Sequence, residues 1–187
     1  GKGHHVSQTE NSSKQPELIS NEQNNKDVIR FDSSLLTLTD FKDWPEDSIS
    51  IFIVQKAPVD KSQSTMALDG IDNKGEGRFN LHIPWSNEHV YWDYGDTGSS
   101  YGRLKTSITS NGTSFDRNKY YIYEFSYNHS TKKMSSYKNA VQLGSYVSAV
   151  TTVANVNGQT GYTLNIGHDD YISNVSFVLI IISFRSL

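Results

Sequence analysis

The chain has 187 residues, 35% hydrophobic, 12% aromatic and 20% charged, enough for one domain with a real core. Its 17 basic and 20 acidic residues leave a net charge of −3, which argues against nucleic acid as a partner. The absence of cysteine excludes a disulfide framework, a thiol nucleophile and a cysteine-based zinc site.

Residues 1–26 are rich in Ser, Asn, Gln and Glu, and this composition predicts an irregular N-terminal arm ahead of a domain over 27–187. The start at Gly1-Lys2-Gly3, without Met, suggests a processed or excised product, and no basic segment followed by an apolar core marks a secretory leader. Beyond the arm, short segments of period-two character recur between turn residues. Val28–Phe31 and Leu35–Thr39 come first, then Ser48–Val54, whose alternation passes into a continuous apolar run typical of a strand covered on both faces. Thr65–Ile71 precedes the turn sequence Asp72-Asn73-Lys74-Gly75.

Phe79–Ile83 alternates and stops at Pro84, Val90–Tyr94 alternates again, and the short connection between them predicts a hairpin. In the second of these, Val90, Trp92 and Tyr94 share one face. Arg103–Thr109 and Lys119–Tyr127 follow, the latter with Tyr121, Tyr123, Phe125 and Tyr127 on one face, then a turn into Met134–Tyr137. Thr163–Ile166 and Asn174–Phe184 close the series, and the apolar run Phe177–Ile182 is of strand length, too short to span a membrane. No segment sustains a 3.6-residue apolar period. The pattern predicts an all-β protein, a two-sheet antiparallel sandwich or a barrel.

Three stretches in this order carry a family resemblance: Gly1–Gln8 with Lys14–Leu18 and Val28–Asp32; Gly77–Trp85 running into Val90–Gly95; and Thr163–Gly167 followed by Val175–Ile182 and Arg185-Ser186-Leu187. Together they resemble the concanavalin A-like, laminin G-like jelly-roll domains of bacteriophage structural proteins and bacterial surface proteins. The resemblance implies a β-sandwich of jelly-roll type whose concave face or rim loops bind glycans, with a calcium site at the rim in many members. It does not imply catalysis, because the fold hosts lectins, glycan hydrolases and structural decorations alike.

Each chemistry-bearing residue also has a plainer use. Glycan hydrolases on this fold carry Glu-x-Asp with a further Glu; no Glu-x-Asp occurs here, and Glu124 has no carboxylate two residues away. Gly98-Ser99-Ser100-Tyr101-Gly102 matches a nucleophile elbow in letters only, since no helix follows. His82, His89 and His168 are scattered and read as polar positions on strands and turns. Asp93 and Asp96 around Gly95, and Asp69, Asp72 and Asn73, are candidate calcium ligands, although Asp and Asn are also ordinary turn residues.

The richest constellation joins Trp85, Asn87, His89, Tyr91 and Asp93, which offer an aromatic surface for a sugar ring and polar groups for its hydroxyls. Trp92 and Tyr94 are expected in the core with Val90, whereas strand parity and loop position favour exposure of Tyr91 and Trp85. The expectation is a non-enzymatic module on a virion or cell surface that binds a cell-surface glycan, without membrane insertion, and assembles as a homo-oligomer or with other subunits. The alternatives are a structural decoration held by protein contacts and, third, a glycan hydrolase. No cofactor is expected beyond calcium at Asp93 and Asp96.

Overall fold

The computed structural model describes residues 6–8, 12–41, 48–60, 62–69, 79–94, 102–147, 163–167 and 176–186, the last segment, 69 and 147 by their backbone. Strands β1 (Glu17–Gln23), β2 (Lys26–Asp32), β3 (Leu36–Thr39), β4 (Ser48–Lys56), β5 (Met66–Asp69), β6 (Phe79–His82) and β7 (His89–Tyr94) are followed by β8 (Arg103–Ser107), β9 (Tyr121–Asn128), β10 (Lys133–Lys138), β11 (Val141–Val147), β12 (Thr163–Ile166) and β13 (Ser176–Ser186). They form a seven-stranded sheet in the order β1-β2-β13-β4-β9-β10-β11 and a six-stranded sheet in the order β3-β12-β5-β6-β7-β8. Every described pairing is antiparallel. The all-β, two-sheet antiparallel sandwich expected from the alternation is therefore present.

Alternation decides which residues close the core. Tyr121, Tyr123, Phe125 and Tyr127 all point inward from β9, as do Val90, Trp92 and Tyr94 from β7. The two rows meet between the sheets: the Trp92 and Phe125 ring centroids lie 5.7 Å apart near edge-to-face, and those of Tyr94 and Tyr127 lie 4.7 Å apart. Burial pushes the Tyr123 phenol well above its ordinary range, because its ionised form would lose its hydration.

Two strands lie where the sequence reading has none. Residues 17–23, assigned to the irregular arm, form edge strand β1, and Val141–Val147 forms β11 at the opposite edge. Each belongs to a hairpin closed by two residues in the left-handed region, Asn24-Asn25 (φ 49° and 58°) and Asn139-Ala140 (φ 49° and 65°). That geometry matches the twist of paired strands, and asparagine tolerates it because its side chain bonds locally. Asn139 is also tied to the neighbouring strand β9: its side-chain Oδ1 accepts from the Ile122 N–H at 2.9 Å, and its backbone N–H donates to the Ile122 carbonyl at 2.8 Å.

Lys138 leaves β10 on the core side and is almost fully buried. Its ammonium donates to the Ile108 carbonyl and, at 2.8 Å, to the Ser114 carbonyl, and lies 5.0 Å from the Tyr121 ring centroid. It pins the 108–114 segment, which includes the 3-10 turn Ser110–Gly112, against the sheet. Desolvation pulls its pKa down to about 8. Between that value and the ordinary 10.5 the unfolded chain holds a proton that folded Lys138 has released, so stability rises with pH there. Denaturant titrations at intervals from pH 7.5 to 9.5 are expected to show a gain of about 2 kcal/mol, absent in Lys138→Met. A flat profile in the parent protein, or the same rise in the variant, contradicts this assignment. Above pH 10 the raised phenol of Tyr123 acts in the opposite sense, since unfolded tyrosines ionise first.

Candidate functional site

The site grows out of the β6–β7 hairpin. After Pro84 the chain turns, with the Glu88 N–H donating to the Trp85 carbonyl at 2.9 Å and the Trp85 N–H to the His89 carbonyl at 2.7 Å. Glu88 takes φ 58° at the corner. The segment 62–65 braces this turn: the Gln63 N–H donates to the Pro84 carbonyl at 2.9 Å, and the Ser86 N–H to Ser62 Oγ at 3.1 Å. Gln55, buried on the facing sheet, donates from Nε2 to the Ile83 carbonyl at 2.5 Å and accepts at Oε1 from Thr65 Oγ1 at 2.9 Å. The turn is thus fixed from three directions before any ligand arrives.

With Val90, Trp92 and Tyr94 committed to the core, strand parity sends His89, Tyr91 and Asp93 to the outer face of the six-stranded sheet. Register sets their neighbours. Tyr91 lies opposite His82 of β6 and Lys105 of β8, while Asp93 lies opposite Asn80 and Arg103. Trp85 and Tyr91 are both half-buried, with ring centroids 5.9 Å apart at 66°, and make two walls of one aromatic corner. Buried His82 floors it, its ring 4.6 Å from Trp85 and 6.4 Å from Tyr91, and its Nδ1 donates to the Gln63 carbonyl at 3.1 Å.

Asn87 connects the polar groups of the corner. Its Nδ2 donates to Tyr91 Oη at 2.9 Å, its Oδ1 accepts from the His89 N–H at 3.2 Å, and its carbonyl lies 2.8 Å from His89 Nδ1. A carbonyl only accepts, so His89 Nδ1 carries its proton and Nε2 of the neutral ring is left as an acceptor. Four of the five residues singled out from sequence, Trp85, Asn87, His89 and Tyr91, are thereby brought together as one cluster with partly exposed rings.

Asp93 is used differently from the expectation. It is 0% exposed, and its two carboxylate oxygens each accept from Arg103, Nε and Nη2 at 2.6 Å. Bonding to Asp93 raises the guanidinium pKa further. The expected role of an open ligand for hydroxyls or calcium gives way to a buried, bidentate ion pair, because a carboxylate covered from water on the outer face needs a charged partner. Asp96, the second expected calcium ligand, lies outside the described residues, as do Asp72, Asn73, residues 98–101 and His168–Asp170. Among the described residues no group of three His, Asp or Glu side chains is placed to hold a metal ion. Glu124 stands between Phe52 and Tyr137 in register, with no carboxylate opposite.

Sequence reasoning passed over Arg103 and Lys105. Lys105 Nζ lies 5.5 Å and Arg103 Cζ 5.6 Å from the Tyr91 ring centroid, so two cations flank the aromatic corner. The alternation Arg103-Leu104-Lys105 was visible in sequence, but the register that sets it against Tyr91 and Asp93 depends on where β8 joins β7.

No family model matches the chain, and no curated protein matches it in sequence. Solved structures do match in fold. The binding domain of botulinum neurotoxin serotype D superposes with a TM-score of 0.59 at 14% identity, over 92% of this chain and 44% of that one. A structure concerning botulinum neurotoxin type C, whose cell entry depends on interaction with two ganglioside molecules, gives 0.56 at 10% identity, over 97% and 43%. The carbohydrate-binding module CBM66 from Bacillus subtilis gives 0.50 at 10% identity and covers 92% of both chains. This chain spans less than half the length of the neurotoxin domains and nearly the whole of the carbohydrate-binding module. At such identities the likeness establishes the β-sandwich fold.

Proposed function

We propose that this chain is a non-enzymatic glycan-binding module whose site is the corner formed by Trp85, Asn87, His89 and Tyr91. One observation carries the reading: two partly exposed aromatic rings meet at an angle, fixed in advance by a braced turn, beside the exposed Asn87 and the partly exposed His89. A pyranose offers C–H faces to such rings and hydroxyls to such groups. The likeness in fold to a carbohydrate-binding module over nearly all of both chains supports this reading. A structural decoration would have no need of such a platform facing solvent. Calcium has no part in the reading, because Asp93 gives both oxygens to Arg103.

One shallow corner binds weakly, so a surface that displays many copies is the setting that suits it, a virion or a bacterial cell surface, where multivalency raises avidity. The test is a glycan array probed with the 187-residue chain displayed multivalently, alongside Tyr91→Ala and Trp85→Ala. The parent protein is expected to bind at least one saccharide class. Each substitution is expected to weaken that binding about tenfold or more, with the thermal midpoint little changed, because both rings lie at the rim outside the core. Undiminished binding by both variants would move the site elsewhere.

A further inference from the structure

We infer that the saccharide taken by this corner carries an acidic group, a carboxylate or a sulfate. This rests on the glycan-binding reading and adds the charge of the ligand to it. The chain as a whole is acidic, with a net charge of −3, yet the corner is basic. Lys105 is exposed, and its one described interaction is with the face of Tyr91, 5.5 Å from the ring centroid. Among the described residues no acid pairs with it.

Arg103 beside it spends Nε and Nη2 on Asp93 and leaves Nη1 without a bond among the described residues, on a side chain that is 42% exposed. Asp93 is neutralised by that pairing. Glu88, the acid of the neighbouring turn, faces Arg117 at 3.8 Å. His89 adds no negative charge. Among the described residues the corner therefore holds one ammonium with no paired acid and one unbonded guanidinium nitrogen, against the aromatic wall on which a sugar ring would lie. A cation without a paired acid, here Lys105, beside an apolar platform selects an anionic substituent on the bound ring, since charge-assisted bonds are about twice as strong as neutral ones. A general electrostatic attraction is not the source, because the net field of the protein repels anions.

The experiment titrates the full chain with matched probes: oligogalacturonate against its methyl ester, and a sulfated galactan oligosaccharide against its desulfated form. The acidic member of at least one pair is expected to bind about tenfold more tightly, the responding pair distinguishing carboxylate from sulfate. Lys105→Gln is expected to remove most of that preference and Lys105→Arg to keep it, while Lys133→Gln on the other sheet leaves it unchanged. Tyr91→Ala should weaken acidic and neutral members alike. Equal binding of acidic and neutral members, still sensitive to Tyr91→Ala, would overturn the acidic selection and leave the glycan site standing. A preference reduced as much by Lys133→Gln as by Lys105→Gln would also overturn it. Binding of no saccharide in either pair, in an array or in these titrations, would overturn both.

Discussion

Replacing Gly167 by alanine is expected to lower the unfolding free energy by about 3 kcal/mol and the thermal midpoint by about 6 to 12 °C. Gly167 follows β12 with φ 91°, a conformation that side-chain-bearing residues rarely adopt. Its N–H donates to the Thr65 carbonyl at 3.1 Å, which ties the end of β12 to the same 62–65 segment that braces the binding turn. A Cβ at this position would stand 2.5 Å from Cδ1 of buried Phe31 and 2.7 Å from the Ser34 carbonyl oxygen. Phe31 is locked in the core and Ser34 contributes backbone, so neither yields easily. Strain in the backbone and overpacking therefore act together. Denaturant unfolding monitored by tryptophan fluorescence reads the effect, and a loss below about 1 kcal/mol would show that the strand end has another way to relax.

Arg103→Met carries the second large effect, about 2 to 3 kcal/mol of stability, because it leaves the Asp93 carboxylate buried without its guanidinium. The loss stays below the upper range for buried pairs because Arg103 is 42% exposed and water screens its outer edge. Arg103→Lys should recover part of the loss, since a lysine meets the carboxylate as a point charge and cannot reproduce the two parallel bonds. The double variant Arg103→Met with Asp93→Leu should unfold later than Arg103→Met alone, as removing both charges removes the stranded one. If the double variant is the less stable of the two, the pair is not what holds Asp93 in the fold.

Both effects lie beyond what the sequence alone conveys, and for related reasons. Alternation is local, so the inward rows Val90, Trp92, Tyr94 and Tyr121, Tyr123, Phe125, Tyr127 could be read directly, and the hairpin carrying Trp85 and Asn87 with them. Register across strands far apart in sequence is not local. The pairing of Asp93 with Arg103 and the approach of Gly167 to Phe31 depend on it. Hence Asp93, which shares parity with Tyr91, read as one more open polar group when it is a buried anion.

The two strands missed by sequence reasoning show the complementary failure. β1 is almost wholly exposed along both faces, so it has no hydrophobic period to display. β11 is interrupted by Gly144, where a Cβ would stand 3.0 Å from Thr106 Oγ1. That close approach is itself structural: Thr106 Oγ1 donates to the Leu143 carbonyl at 2.9 Å, joining the edge of one sheet to the edge of the other. At the first hairpin the sequence does hold a turn signal in Asn24-Asn25, whereas alanine at 140 gives no sign of its φ of 65°.

The proposed function stands or falls with a sugar ring lying in the Trp85–Tyr91 corner. Saturation-transfer difference NMR on the chain, with a mixed panel of neutral and acidic oligosaccharides, tests it most directly because it registers even weak single-site contact. Saturation is expected to pass to the ring C–H protons of at least one saccharide, and to none in the Trp85→Ala, Tyr91→Ala double variant. No transfer to any saccharide of the panel, or equal transfer in the folded double variant, would contradict it.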